Sequence, residues 1–312
     1  MTRPRKILIT GATGRVAGPV ALSCARDSEV WALARFSDPA TKAELEAAGV
    51  RTFVWDMAEG SLDGLPDDFT HVMHAALLAE RGDDFDKAVE QSCRPVAALM
   101  GHCRRAEAFL FVSTTAVYNV LEPGRLHRET DPIGGTSGGG HPPTYAAGKI
   151  SAEGAVRALS HALQIPTTIA RLSMQCGGTA GVPAWRGGAP AFYYKAIRDG
   201  RPVPVRPQRD DYCSLHHIDD IVRQVPLLWD VASVPTTVVN WGGDDRVSAR
   251  EMIEHIGQLI GVAPTYLETE AAFGMVALDP TRRQSLIGRC KVDWRTGLAR
   301  MLEEQKQLEA AA

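Results

Sequence analysis

The stretch Ile7-Leu8-Ile9-Thr10-Gly11-Ala12-Thr13-Gly14-Arg15-Val16-Ala17-Gly18 constrains this chain more than any other. A short apolar run ends in a Thr-Gly turn, a second glycine follows three residues on, and a helical pattern begins. Gly11 and Gly14 carry no Cβ, so backbone N–H groups can approach a phosphate closely there. The helix that follows aims its positive end at the same place. The turn reads as a pyrophosphate cradle made by Gly11, Thr13, Gly14, Arg15 and Val16. Strand-to-helix turns also carry glycine for packing alone, so this reading needs support from elsewhere in the chain.

Support comes first from the pattern of elements. Short β-like runs at Lys6–Thr10, Glu29–Ala34, Thr52–Trp55, His71–His74, Ala108–Ser113 and Thr167–Leu172 alternate with helical patterns near 15–27, 39–48, 84–106 and 145–163. Nearly continuous apolar strands separated by helices predict the α/β class, a doubly wound parallel sheet of Rossmann type covered on both faces. Ligands in such folds sit outside the carboxyl ends of the strands. Beyond Leu172 the alternation weakens, and residues 174–215 are rich in glycine, proline and aromatic residues. Val238–Trp241 reads as one more strand, and helices near 248–260 and 296–308 close the chain. The expected division is a dinucleotide-binding domain over 1–173 plus about 216–243, with a smaller interleaved substrate-binding part over 174–215 and 244–312. Gly134–Gly140 admits two readings, a mobile lid or a solvated loop.

Composition excludes several classes of function. A net charge of −3 over 312 residues leaves no electrostatic footprint for nucleic acid or an anionic membrane. No apolar stretch reaches the roughly 20 residues of a spanning helix. Arg3, Arg5 and Lys6 ahead of Ile7-Leu8-Ile9 resemble a signal peptide superficially, but the apolar run is too short and reads as a strand. Six scattered cysteines without a C-x-x-C pair suit reduced structural thiols in a cytoplasmic protein. His216-His217 comes nearest to a metal site and reads as structural, so no metal is expected.

Two further segments carry chemistry. Tyr145 and Lys149 stand at i and i+4, on one face of a helix that starts at Pro143 or Thr144. A free phenol titrates near pH 10, too high for proton transfer at neutral pH; a lysine one turn away and a cationic nicotinamide would lower it. Tyr145 would then exchange a proton with a carbonyl or alcohol oxygen while hydride moves at the adjoining carbon. Phe109-Leu110-Phe111-Val112-Ser113-Thr114-Thr115 ends an apolar strand in three hydroxyl residues. A hydroxyl there can orient a substrate oxygen, although serine and threonine also cap turns.

With these features in order, the whole chain resembles the extended short-chain dehydrogenase/reductase superfamily, also called the epimerase/dehydratase family. The family's T-G-x-x-G-x-x-G is similar to Thr10-Gly11-x-x-Gly14-x-x-Ala17, with alanine at the third site. Its S-[ST]-x-x-V-Y resembles Ser113 through Tyr118, and its Y-x-x-x-K is Tyr145/Lys149. The resemblance implies catalysis by Thr114, Tyr145 and Lys149, with Ser113, Tyr145 and Lys149 also touching the cofactor. Val72-Met73-His74-Ala75-Ala76 resembles the strand-four motif lining the cofactor, which implies roles for Ala75 and Ala76. Asp56-Met57 resembles the pair beside the adenine. Arg171-Leu172-Ser173-Met174, His217-Ile218-Asp219-Asp220 and Asn240-Trp241-Gly242-Gly243 resemble later landmarks, with Asp219 and Asp220 read as structural. Relatives often form homodimers through the helices near 84–106 and 145–163.

The second strand ends in Arg35 where NAD binders place an acid, and a guanidinium suits a 2′-phosphate. Arg35, helped by Arg15, therefore predicts NADP rather than NAD. Nucleotide-sugar relatives carry asparagine at the position of Met174 and an Arg–Asp pair just before the histidine of the H-[VI]-D-D landmark. Here Cys213-Ser214-Leu215-His216 stand there, with Arg209-Asp210 displaced upstream. Trp185, Phe192, Tyr193 and Tyr194 would then line an apolar pocket. The expectation is an NADP-dependent oxidoreductase acting on a small, mostly apolar carbonyl or alcohol substrate. A nucleotide-sugar epimerase/dehydratase and a catalytically silent NADP-binding sensor are the alternatives.

Overall fold

A computed structural model describes residues 5–58, 60–77, 83–119, 122, 124–135, 142–178, 188–207 and 210–310. Trp185, Arg209 and the glycine-rich stretch beyond Gly135 lie outside the described residues.

Strands β1 (Lys6–Thr10), β2 (Glu29–Ala34), β3 (Arg51–Val54), β4 (His71–His74), β5 (Ala108–Thr114) and β6 (Thr167–Leu172) join a last strand, Thr237–Trp241, in one sheet. Its order is β3, β2, β1, β4, β5, β6 and Thr237–Trp241, parallel throughout. The chain runs outward from β1 to β3 and restarts on the other side of β1 with β4. The crevice for a ligand opens at that reversal. Thr10, the last residue of β1, is paired with Leu33 on one side and His74 on the other.

Strand alternation sends successive side chains to opposite faces. Ile7 and Ile9 meet α1 (Ala17–Cys24) and α6 (Ile218–Asp230) through Val20, Ala21, Ile221 and Val225. Leu8, Phe109 and Phe111 meet α3 (Phe85–His102) and α4 (Pro143–Leu163) through Val96, Leu99, Ala152 and Val156. The doubly wound sheet read from the sequence is the fold. Helix α6 was not expected, although Ile218, Ile221, Val225 and Leu228 recur at helical spacing; Pro226 sits inside it and masks the pattern.

A second core joins α5 (Ala189–Arg198), α7 (Ala249–Ile260) and α9 (Trp294–Ala310), with Tyr193, Tyr194, Met252, Ile256 and Leu298 inside. Tyr193 and Tyr194 therefore pack this core, and of the three consecutive aromatics only Phe192 turns outward. Asp220, buried at the start of α6, accepts hydrogen bonds from the N–H groups of Lys291 and Val292 at 2.9 Å and from Arg223. It staples α6 to the segment entering α9, which is a structural role. Among the described residues no helix is long and apolar enough to cross a membrane.

One buried ion pair ties α4 to the sheet. Arg171 on β6 donates to Glu153 on α4 from Nε at 3.0 Å and from Nη2 at 2.8 Å. Ser113 at the end of β5 donates to the same carboxylate at 2.6 Å. Removing one partner of such a pair leaves an uncompensated buried charge, at a cost of about 3–5 kcal/mol. Glu153→Gln is expected to lower unfolding stability by about that amount, read from chemical denaturation at unchanged pH.

His74 and His216 are also buried, and burial pushes both down to about 3. The unfolded chain then binds more protons than the folded one between pH 6.5 and 3, so stability falls as pH drops through that window. The expected loss at pH 5 is about 2 kcal/mol per histidine, and denaturation of the wild type against His216→Phe measures it.

Candidate active site

A cleft of about 660 Å³ lies over the carboxyl ends of β1, β4 and β5, between the two cores. Gly11, Gly14, Arg15, Val16 and Ala75 line one end. Ser113, Thr114, Tyr145 and Lys149 line the middle, and Met174, Phe192 and Phe273–Val276 form the wall on the side of the second core.

The glycine turn is shaped by contact with β4. Gly11 has φ +73°, and a Cβ on it would stand 2.8 Å from the backbone of Ala76. Ala76 N–H donates to Thr10 Oγ1 at 3.1 Å, and the same hydroxyl lies 2.7 Å from His74 Nδ1. The end of β1 is thereby held to the end of β4. Among the described residues, the N–H groups of Arg15, Val16 and Ala17 have no protein partner. Free N–H groups at the start of a helix, over a turn stripped of side chains, suit the pyrophosphate of a dinucleotide. Ala17, at the third small-residue site, is buried in the α1 side of the core.

Tyr145 enters the cleft from the first turn of α4, where Pro143 starts the helix and Tyr145 N–H donates to Pro142 O at 3.0 Å. Its phenol and the Thr114 side chain line the same part of the cleft, near enough for Thr114 to act on its ionisation. Thr114 accepts from Ala116 N–H at 3.2 Å, which fixes its side chain. Lys149, one turn on, is buried; its Nζ donates to Val112 O at 2.9 Å and lies 5.1 Å from the Phe111 ring.

The electrostatics differ from the sequence expectation. Burial raises the Tyr145 phenol above its ordinary value, and the neighbouring Thr114 hydroxyl pulls the other way. The lysine does not lower it, because its ammonium is turned onto the Val112 carbonyl of β5. Burial instead lowers Lys149 to about 8, against the opposing pull of Glu153. The charge of Lys149 in turn helps to keep His74 neutral.

Other expected cofactor residues stand beside this cleft rather than on its wall. Arg35 is exposed just after β2 and pairs with no other described residue. Asp56 Oδ1 accepts from Ala58 N–H at 2.9 Å, and Met57 packs on the core below. Thr13 and Ala76 complete the turn. Ser113 lines the cleft, but its hydroxyl is committed to Glu153. Sequence reasoning missed Leu77, Gly188 and Phe273–Val276, which lie on the cleft wall. The last segment, far along the chain and without any period, carried no signal that would have found it.

A sequence model of the NAD dependent epimerase/dehydratase family matches residues 7–241. No curated protein sequence matches the chain. A UDP-glucuronic acid 4-epimerase from Bacillus cereus, solved with UDP-glucuronic acid and NAD, superposes with a TM-score of 0.81 at 20% identity, over 97% of this chain and 99% of that one. A UDP-N-acetylglucosamine 4-epimerase from Methanobrevibacter ruminantium, in complex with UDP-N-acetylmuramic acid, gives 0.82 at 15% identity over 98% and 100%. A UDP-glucose 4-epimerase from Thermotoga maritima with UDP-glucose gives 0.77 at 17% identity over 97% and 99%.

These findings overturn two expectations. The solved relatives sharing both cores are epimerases holding large anionic UDP-sugars, so an oxidoreductase for a small, mostly apolar carbonyl or alcohol is the wrong reading. Residue substitutions at Met174 and before His217 were too local a basis for setting the nucleotide-sugar alternative second. The preference for NADP finds no support either, since the Bacillus cereus enzyme holds NAD and Arg35 projects into solvent. With a family match over most of its length and the fold to accompany it, the chain belongs to the NAD dependent epimerase/dehydratase family.

Proposed function

We propose that this protein is a nucleotide-sugar epimerase that binds NAD and regenerates it within each turnover. The observation that carries the reading is the Thr114–Tyr145 hydroxyl pair on the floor of a cleft that runs from the glycine turn to the second core. The shared architecture of UDP-sugar 4-epimerases supports it.

The glycine turn, with the N–H groups of Arg15, Val16 and Ala17, would hold the pyrophosphate, and Lys149 would hold the nicotinamide ribose. When bound, NAD would supply reversible hydride transfer at the sugar carbon, so that a hydride taken from one face could be given back on the other. Tyr145 takes the proton from the hydroxyl on that carbon and later gives one back at the same oxygen. Thr114, fixed by Ala116 N–H, orients that oxygen against the phenol. Burial makes the phenol a poor base, and the positive charge of a bound nicotinamide would offset that.

The Tyr145→Phe variant is expected to lose about 10²–10⁴-fold in turnover on UDP-sugars, followed by NMR of the 4-epimer, while its dinucleotide affinity stays close to wild type. Wild-type turnover is expected without build-up of free NADH. Steady consumption of NADH with a carbonyl compound, or full activity of the Phe variant, would overturn the reading.

A second outcome tests the cofactor. Arg35→Ala is expected to leave the ratio of NADH to NADPH affinity within about twofold of wild type, because an exposed arginine that pairs with no other described residue contributes little. A tenfold loss confined to NADPH would show that Arg35 selects the 2′-phosphate.

A further inference from the structure

Two charged side chains, Arg15 and Lys149, line the cleft among the described residues, and no Asp or Glu does. Lys149 is engaged with the Val112 carbonyl. Arg15 makes no hydrogen bond or ion pair with any other described residue. Burial disfavours its ionised form, and among the described residues no neighbouring acid offsets this. A half-buried guanidinium without a carboxylate is under-solvated, and an anion entering the cleft would relieve that cost.

Where the side chain ends is equally informative. Arg15 leaves the backbone one residue after Gly14, yet its Nη1 occupies the space that a Cβ on Gly188 would fill. Gly188, with φ +92°, caps the start of α5, whose Ala191, Tyr194 and Ile197 belong to the buried inner side of the helix. One cation therefore reaches from the glycine turn across the cleft to the entry of the second core, and only a residue lacking Cβ leaves it room.

We propose that Arg15 is a clasp: its guanidinium binds a phosphate anhydride lying in the cleft, and its contact with Gly188 ties that binding to the second core. The ligand class is a diphosphate ester, from either the dinucleotide or the nucleotide sugar. The proposal rests on the reading of this cleft as the site for both. A planar fork of donors matches two phosphate oxygens at once, which a lysine cannot reproduce. This also supplies a charge that the apolar Met174 and the residues before His217 do not.

The test uses the full chain, with NADH binding followed by fluorescence and UDP binding by calorimetry. Arg15→Met and Arg15→Gln are expected to weaken at least one of the two ligands about tenfold or more, with Arg15→Lys recovering only part of the loss. Loss confined to NADH assigns the clasp to the cofactor, and loss confined to UDP assigns it to the substrate. Gly188→Ala is expected to weaken the same ligand, with no further loss when combined with Arg15→Met. Both affinities within about twofold of wild type in a variant with unchanged thermal unfolding would overturn the clasp, and additive losses in the double variant would overturn its link to Gly188. Failure of wild type to bind UDP would count against the nucleotide-sugar reading alone, since the NADH arm still decides the role of Arg15.

Discussion

The bidentate pairing of Arg171 with Glu153 is the contact on which the rest of the site depends. Tyr145, Lys149 and Glu153 follow one another at four-residue intervals along α4, so they share one face of the helix. Anchoring Glu153 to β6 therefore sets the rotation and height of the whole face. The same carboxylate holds Ser113, the residue just before Thr114. One ion pair thus places both hydroxyls of the Thr114–Tyr145 pair, from two different elements. Its partners continue outward: Arg171 Nη1 donates to Glu129 O at 3.2 Å, and Glu129 accepts from Asn240 N–H at 2.8 Å. The landmark residues Arg171 and Asn240 are parts of this scaffold beneath the cleft, rather than of its surface.

Burial, more than pairing, governs the titration of the site. It lifts the Tyr145 phenol, lowers Lys149 and keeps His74 neutral, each by disfavouring the charged form. A neutral His74 can accept a hydrogen bond at Nδ1 from the Thr10 hydroxyl, which frees that oxygen to accept from Ala76 N–H. The polar bridge between β1 and β4 and the cationic lysine nearby are in this sense one electrostatic unit. With no carboxylate on the wall among the described residues, the cleft is biased toward anionic ligands.

How much of this was legible in the sequence follows the distance over which each feature acts. The glycine turn, the strand-five hydroxyls and the Tyr145/Lys149 pair are each set by residues within one turn or one strand. Their spacing alone places them at the carboxyl ends of a parallel sheet. The substrate side was misread for the opposite reason. Three consecutive aromatics looked like a pocket lining, but a helix distributes neighbours around its axis, and Tyr193 and Tyr194 went to the core while Phe192 met the cleft. The loss of polar residues at Met174 and before His217 suggested an apolar substrate, because the cation that also lines the cleft, Arg15, lies some 160 to 200 residues away in the chain.

From its sequence, this chain is determined to be a doubly wound α/β protein with a dinucleotide turn and a Tyr–Lys helix, because local periodicity and residue spacing encode strands, helices and their ends. Tertiary structure decided which side chains meet: that Lys149 turns to β5, that Ser113 is spent on Glu153, and that Arg15 reaches Gly188. Those outcomes depend on burial and on contacts between segments far apart in the chain, and neither quantity is written into any short stretch of residues.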